Sequence, residues 1–561
     1  MPRPTRVFVA LLALHLSLAP ALAQEEGAGA YLAAVVATRD GAFEAGARYY
    51  AAGLAEAPGN PVMAQGAMVT HVAIGDVAGA VAFAETMAAL GARDEFSGTL
   101  VPVSAMVSGD FEAALAALDD ETLTQNPMLN QLLSGWAAIG AGQFGDGVAR
   151  FEALNTTSGL RGVSAYHQAL ANAYVGDFES AARLYQAAGE AAYVSRGAVL
   201  AHAQILATLE DYEGARLLMT RGAGARINDA EANALRRNVI AGAPVSFDRV
   251  ASPLDGAAEA LMLMAEALRN DDALRLSLFF ARLAAYLNPA RDDVAVLIGD
   301  ILVGKGQNAL ALAAYNAVDD DAPLALVALA GKAGVLEAQG EIDAAIEVLQ
   351  DAIATQGEVP SLLNMLGDGL RRAARFGEAV EVYSRAIAAL DNPEAPSAWS
   401  LYYARATALE REDRWPEAEA DLRLALQLSP EQPLVLNMLG YSLVDRGLAL
   451  EEALGMIERA MEQRPDDGYI TDSLGWAYYR MGRYDEAVSV MLDAVLLRPG
   501  DGILNDHYGD VLWMVGRERE AAFQWQRALD SRSTDIDRPR IEAKLERGLD
   551  AVLEEEGNGN Q

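Results

Sequence analysis

The sequence predicts an all-α protein in which about 13 helix-turn-helix units stack into a superhelical solenoid, closed by a C-terminal capping helix. The first observation is a period of about 34 residues in small side chains. It is carried by Gly440, Gly475 and Gly509 and by Ala453, Ala487 and Ala521. The second is the composition, which is 52% hydrophobic but only 7% aromatic. An alanine-rich chain of this kind favours closely packed helices over sheets.

The same small position continues towards the N-terminus, where it marks the second helix of each unit. It falls at Ala418, Ala379, Ala345, Ala311, Ser277, Ala215, Ala181, Gly147, Ala114, Ala80 and Gly46. The register breaks between Ala215 and Ser277, where Pro244 and Pro253 stand. The pattern predicts a degenerate array over 24–220, an irregular joint or distorted repeat over 221–256 and a second array over 257–530. We expect each unit to contact only its neighbours.

The two ends of the chain carry different signals. Arg3 and Arg6 precede an apolar run, and Ala21-Leu22-Ala23 completes a cleavable signal peptide over 1–23. The chain contains no cysteine, so it lacks the attachment site of a lipoprotein. These features predict Sec-dependent export, cleavage after Ala23 and a periplasmic protein without a membrane span. Over 531–561 we expect a capping helix and a disordered acidic tail. The apolar face of that helix consists of Ile541, Leu545, Leu549 and Val552.

Charge and motif content argue against several kinds of function. A net charge of −36 with no basic stretch disfavours binding to nucleic acid or anionic lipid. The segment from Gly299 to Gly306 approaches a phosphate-binding loop, but it forms the first helix of a repeat rather than the required strand-to-helix turn. Scattered histidines and the lack of cysteine provide no metal motif or thiol nucleophile. We therefore expect no catalytic residue, no metal and no cofactor.

One unit near the C-terminus resembles the tetratricopeptide repeat at eight separated positions. They are Leu474, Gly475, Tyr478, Gly482, Tyr484, Ala487, Ala494 and Pro499. The resemblance implies two antiparallel helices per unit, with the first helices lining a concave surface that holds a protein or an extended peptide. The lysine clamp of chaperone-binding members is missing, since these helices contain no lysine.

Carried onto this chain, the resemblance implies a partner-binding groove on the C-terminal first helices. Its candidate residues are Asn364, Asp368, Arg371, Arg372, Tyr403, Arg411, Asn437, Tyr441, Asp472, Trp476, Tyr479, Asp506, Asp510 and Trp513. Aromatic rings beside amide, acidic and guanidinium groups suit an extended peptide. The alternative is that Trp476, Tyr479 and Trp513 pack between repeats.

The C-terminal third also resembles bacterial periplasmic and outer-membrane tetratricopeptide adaptor proteins. Some of these deliver substrates to carboxyl-terminal processing proteases of the envelope, and many are lipoproteins, whereas this chain lacks the cysteine. The resemblance implies a periplasmic scaffold or adaptor for protein partners, among them an envelope protease. Two alternatives stay open: an assembly factor for a pilus or exopolysaccharide export machine, and an enzyme with an acidic site built from several repeats.

Overall fold

Thirty-one α-helices and no strands make up the part of the chain that this computed structural model describes. The described residues are 27–92, 94–119, 126–226, 230–269, 273–533 and 535–559. The predicted all-α class is confirmed, and the predicted signal peptide lies outside the described residues. No helix within these ranges is both long and apolar enough to cross a membrane.

Contacts within the chain define an N-terminal unit, Met1–Glu341, and a C-terminal unit, Ile342–Gln561. The helices of the N-terminal unit are α1 (Ala28–Arg39), α2 (Phe43–Glu56), α3 (Pro61–Ile74), α4 (Val77–Ala89), α5 (Glu95–Val107), α6 (Phe111–Leu118), α7 (Pro127–Gly140), α8 (Phe144–Ala153), α9 (Arg161–Tyr174), α10 (Phe178–Ala188), α11 (Arg196–Thr208), α12 (Tyr212–Thr220), α13 (Ala230–Ala241), α14 (Pro253–Ala267), α15 (Leu274–Leu287), α16 (Asp292–Gly304), α17 (Asn308–Tyr315) and α18 (Ala325–Ala338). The helices of the C-terminal unit are α19 (Ile342–Gln356), α20 (Pro360–Arg372), α21 (Phe376–Ala388), α22 (Trp399–Arg411), α23 (Trp415–Leu428), α24 (Pro433–Asp445), α25 (Leu450–Gln463), α26 (Gly468–Arg480), α27 (Tyr484–Leu497), α28 (Gly502–Met514), α29 (Glu518–Asp530), α30 (Arg538–Arg547) and α31 (Leu549–Gly559).

The small residues of the repeat lie where two helices of one pair approach closely. On α26, a Cβ at Gly475 would come within 2.7 Å of the Met491 side chain on α27. Ala487 and Ala494 on α27 are fully buried. Gly482 has φ 74° in the turn between the two helices, a conformation that glycine adopts without strain. The period therefore reflects the packing of ridges into grooves.

Helices from beyond the predicted joint fold back onto the N-terminal repeats. Helix α14 packs against α7, and α15 packs against α3 and α5, which are first helices of their pairs. Gly256 of α14 lies so close to the Trp136 ring that a Cβ would approach it to 2.2 Å. Phe279 meets Phe96 edge to face, with ring centroids 5.0 Å apart. The expectation of nearest-neighbour contacts alone is wrong for this unit, because α14 and α15 cover the inner surface of its first helices.

The predicted joint over 221–256 contains α13 and an irregular segment that carries Arg249. Arg249 Nε lies 2.6 Å from Glu259 Oε1, and Arg291 Nη1 lies 2.7 Å from the same oxygen. Asp293 accepts from Arg249 at 3.2 Å, and the Tyr166 hydroxyl donates to Glu259 at 2.7 Å. This buried ion network fastens the irregular segment to α9, α14 and α16.

The packing of α14 and α15 on the N-terminal repeats also explains why the domain boundary in the structure differs from the predicted one. The repeat register assigns 257–530 to one C-terminal array, whereas the structure places α14 to α18 in the N-terminal unit. The reason is that α14 and α15 bury their apolar residues against α3, α5 and α7. The repeat period predicts which helices form a pair, but it does not predict the unit to which that pair belongs.

Two short helices, rather than one, close the C-terminal unit. They meet at Gly548, which has φ 84° and lies against the Trp513 ring. Ile541 on α30 and Leu549 and Val552 on α31 are buried, as their spacing predicts. The acidic tail was predicted to be disordered, but α31 extends to Gly559, because Leu549 and Val552 anchor its first turn against the unit.

Candidate functional site

A groove of about 400 Å³ lies along the first helices α22, α24, α26 and α28 of the C-terminal unit. We call it the peptide groove. It is lined by Tyr403, Leu434, Asn437, Met438, Tyr441, Asp467, Tyr469, Ile470, Asp472, Ser473, Ile503 and Leu504. Four of the residues chosen from the sequence, Tyr403, Asn437, Tyr441 and Asp472, are brought together here.

The repeat register places these side chains on one face. Asn437 and Tyr441 lie three residues before and one residue after Gly440, and Asp472 and Trp476 stand in the same positions around Gly475. Residues four apart on a helix share a face. Helices α24 and α26 therefore each present one polar and one aromatic side chain at equivalent positions of the repeat.

Two buried polar atoms near the groove have no hydrogen-bond partner among the described residues. They are Asn437 Oδ1, an acceptor, and Trp476 Nε1, a donor. An unsatisfied buried polar atom costs about 1–3 kcal/mol. Asn437 lines the groove, and a peptide backbone carries an N–H at every non-proline residue, so an extended segment can donate to Asn437 Oδ1.

Trp476 is stacked between two rings. Its ring centroid lies 4.1 Å from that of His507 on α28 and 4.6 Å from that of Tyr479 on its own helix. Trp476 is 9% exposed. Trp476 therefore packs between neighbouring units, and it is not among the residues that line the peptide groove.

His507 forms an ion pair in this stack. Its Nδ1 lies 3.0 Å from Asp472 Oδ2. Burial alone would lower the pKa of His507, but Asp472, with Asp506 and Asp510, outweighs burial and raises the pKa above its ordinary value. The raised pKa favours an imidazolium against the Trp476 ring and the Asp472 carboxylate.

We expect the C-terminal unit to lose stability as the pH rises through the raised pKa of His507. The folded state binds this proton more tightly than the unfolded chain does. The stabilisation from the His507 ion pair is therefore fully present below about pH 6.5, the ordinary histidine pKa, and is lost as the pH rises above the pKa of His507 in the folded state. Hydrogen exchange of α26 and α28 at several pH values measures the effect. Asp472, Asp506 and Asp510 surround position 507 in the wild-type chain and in a His507→Gln variant alike, so a variant that keeps the same pH dependence would contradict the assignment.

The candidate residues on α20 lie outside the peptide groove and are engaged with one another. The Tyr383 hydroxyl donates to Asp368 at 2.7 Å, and Asn364 donates to the same carboxylate at 3.4 Å. Arg371 lies 3.6 Å from Asp368, while Arg372 is exposed near the end of the helix. On α22, the exposed Arg411 guanidinium stacks over a phenylalanine ring of α21 at 4.8 Å.

The last three candidate residues, Asp506, Asp510 and Trp513, lie under the terminal helices. Lys544 Nζ of α30 donates to Asp506 at 2.9 Å and to Asp510 at 2.7 Å. The Trp513 indole donates to Asp550 of α31 at 3.2 Å. Asp510 is 1% exposed. The chain's own C-terminus therefore occupies this end of the first-helix surface.

Comparison with known sequences identifies the repeat. A model of the tetratricopeptide repeat family matches residues 296–360, 364–433, 437–502 and 473–536. The part of the chain between 296 and 536 therefore consists of tetratricopeptide repeats. Over 92 residues it is 37% identical to a TPR repeat-containing protein of Pseudomonas aeruginosa, a match that covers 16% of either protein. Tetratricopeptide repeats form scaffolds for protein–protein interaction.

Solved tetratricopeptide structures also resemble this chain. A tetratricopeptide repeat protein from Parabacteroides merdae is 16% identical with a TM-score of 0.37, over 46% of this chain and 97% of the other. YrrB, a TPR protein with an unusual peptide-binding site, is 22% identical with a TM-score of 0.27, over 34% of this chain and 95% of its own.

Sequence reasoning missed a third row of groove residues and the lysine that follows the last repeat. Leu434, Tyr469 and Ile503 each lie six residues before the small residue of a first helix, so the register contained a signal for them. Lys544 lies after the last repeat, where no periodic signal points to it. The described residues contain no group of three or more histidine, aspartate or glutamate side chains placed to hold a metal ion.

Proposed function

We propose that this protein is exported to the periplasm and holds an extended segment of a partner protein in the peptide groove. The main observation in support is that the groove is open and that Asn437, which lines it, has a buried Oδ1 without a hydrogen-bond partner. In the N-terminal unit the corresponding first helices α3, α5 and α7 are covered by α14 and α15. The C-terminal unit leaves the first helices that line the groove open to another protein.

The groove chemistry supports a peptide rather than a small polar metabolite. Leu434 is 40% exposed and Tyr469 is 47% exposed, so the groove presents apolar area at its rim. Tyr403, Tyr441 and Tyr469 add rings that bury surface with little loss of side-chain entropy. Apolar contact from alternate side chains and polar contact with the backbone are the two features of extended peptide recognition.

The export signal of residues 1–23 and the adaptor-like C-terminal repeats support a role in the cell envelope. We propose that the partner brought to the groove is presented to a carboxyl-terminal processing protease, with this chain as the adaptor. An adaptor of this kind provides no catalytic group of its own and acts by raising the local concentration of substrate.

A pull-down from periplasmic extract tests this proposal. We expect the mature chain to retain a partner that the Leu434→Arg variant loses, because the substitution places a long charged side chain in the groove. Truncating or blocking a central contact typically costs 2 kcal/mol or more, about a thirtyfold loss of affinity. Mass spectrometry identifies the retained proteins, and a protease among them supports the adaptor role.

The matched control is Leu496→Arg on α27, since Leu496 is 68% exposed and lies outside the groove. We expect this variant to retain the partner. Equal capture by the two variants would place the binding surface elsewhere, and capture of no specific protein by the folded wild-type chain would count against a scaffold.

A further inference from the structure

We call a slot the space between two neighbouring first helices at the positions three residues before and one residue after the small residue of the first of them. The two slots next to the peptide groove each contain a basic side chain of this chain. At Asp472 and Trp476 this side chain is His507, which stands two residues before the small residue of the next first helix. At Asp506 and Asp510 it is Lys544, with Nζ between the two carboxylates and 5.8 Å from the Trp525 ring centroid. In both slots a basic side chain thus contacts carboxylates and lies near an aromatic ring.

The third slot, at Asn437 and Tyr441, contains no lysine or histidine side chain in the corresponding position. The residue in the position of His507 is Ser473, whose side chain is too short to reach across the slot. Asn437, Tyr441, Asp472 and Ser473 all line the peptide groove, so the groove includes this slot. The register position that holds the His507 imidazole in one unit holds only Ser473 in the preceding unit, which leaves the space open.

The groups around this slot suit a positive charge. Asn437 Oδ1 is a buried acceptor without a partner, and Asp472, which pairs with His507, lines the groove with a carboxylate that is largely buried. Tyr403 and Tyr441 contribute ring faces that attract cations. No lysine or arginine is among the groove-lining residues, although the Arg498 guanidinium stacks on the Tyr469 ring at 4.2 Å.

The electrostatics of Tyr441 agree with this description. Burial raises the pKa of the Tyr441 hydroxyl, and the carboxylates of Asp445, Asp472 and Glu410 raise it further against the opposing effect of Arg480. The slot is therefore a region of negative potential next to an aromatic ring, in which a bound ammonium replaces lost hydration with acceptors and π contacts.

We propose that the slot formed by Asn437, Tyr441, Asp472 and Ser473 binds a lysine side chain of the protein segment held in the peptide groove. The chain's own Lys544 provides the internal example of this recognition. The aliphatic stem of the lysine packs along Met438 and the ammonium reaches Asn437 Oδ1 and the Asp472 carboxylate. This inference rests on the proposed function and adds the side chain that the groove selects.

Two fluorescent peptides of about 11 residues test the proposal on the full mature chain. Both have leucine and valine flanks, and the central residue is lysine in one and norleucine in the other. Norleucine keeps the stem and lacks the ammonium. We expect the lysine peptide to bind about tenfold more tightly, since a charge-assisted hydrogen bond and a cation–π contact are both lost with norleucine.

Two protein variants locate the effect. Ser473→His introduces an imidazole in the register position of His507 and should abolish the preference for lysine, whereas Ser489→His on the exposed side of α27 should keep it. Asn437→Leu preserves the side-chain volume without the acceptor and should reduce the preference. Circular dichroism of each variant establishes that it is folded before its affinity is compared.

The outcomes separate this inference from the proposed function. If the folded wild-type chain binds both peptides equally, or if Ser473→His retains the preference, lysine selection by this slot is wrong while peptide binding stands. If neither peptide binds, the groove does not hold extended peptides, and the inference fails together with the proposed function.

Discussion

A Glu259→Gln variant is expected to lose about 3–5 kcal/mol of stability in the N-terminal unit, the usual cost of removing one charge from a buried ion network. Glu259 accepts from Tyr166 and contacts Arg249 and Arg291 in the interior of the unit. Glutamine keeps the shape but leaves two buried guanidinium groups with less negative charge. Hydrogen exchange of α14, followed by mass spectrometry, measures the loss within this unit alone.

The pKa of Glu259 determines how the loss depends on pH. Burial would raise this pKa, but Arg249 and Arg291 outweigh burial and hold it below its ordinary value. A lowered pKa means that the carboxylate contributes its stability above the unfolded value, near pH 4.5, and loses it only as the pH falls through the folded value. The effect of the substitution should thus be the same at pH 6 and pH 8.

A matched control is Glu417→Gln on α23, where the Arg414–Glu417 pair is exposed to solvent. Exposed pairs contribute little because water screens them and side-chain entropy opposes them. We expect no measurable change in the control. A Glu259→Gln protein as stable as this control would show that the network is not needed to hold the irregular segment in place.

The second large effect is expected for Lys544→Met, again about 3–5 kcal/mol. Methionine fills the space of the lysine stem but leaves Asp506 and Asp510 facing each other without a cation. Arg540 lies 3.6 Å from Asp510, too far for a hydrogen bond to replace that of Lys544. Faster hydrogen exchange in α28 and α30 would reveal the loss, and Lys332→Met in the other unit should leave these helices unchanged.

The pH dependence of this variant provides an independent check. Burial raises the pKa of Asp510 above its ordinary value even with Lys544 opposing the shift. A raised carboxylate pKa favours the folded state in acid, so the deficit of Lys544→Met should shrink as the pH falls. The double variant Lys544→Met with Asp510→Asn should recover part of the stability at neutral pH, because only one carboxylate stays unpaired. No recovery would mean that the lysine stem, rather than its charge, secures α30.

The helix pairs could be predicted because close packing dictates residue size at fixed spacing. Ala487 and Gly475 stand where two helices nearly touch, and only small side chains fit such a position in every unit. The fold-back of α14 could not be predicted in the same way. Trp136 and Gly256 meet because of the path that the whole unit takes, and nothing periodic links a tryptophan to a distant glycine.

The candidate site was predictable in part for a related reason. A repeat register identifies which residues share a face, so it selected Asn437, Tyr441 and Asp472 together. It does not say which positions the chain itself covers. Asp510 occupies the same register position as Tyr441, yet it is buried because Lys544, from outside the period, pairs with it.

The return of α15 to the start of the chain has a consequence for the order of events during synthesis. Arg282 Nε donates to the Ala73 carbonyl across 209 positions of sequence. Until α15 has emerged, the faces of α3 and α5 that it covers stay exposed, and closing so long a loop is slow and costly in entropy. The C-terminal unit can instead grow one helix pair at a time on its neighbour. A nascent N-terminal unit therefore needs protection from aggregation for longer, and an extra repeat would be tolerated after residue 342 more readily than before it.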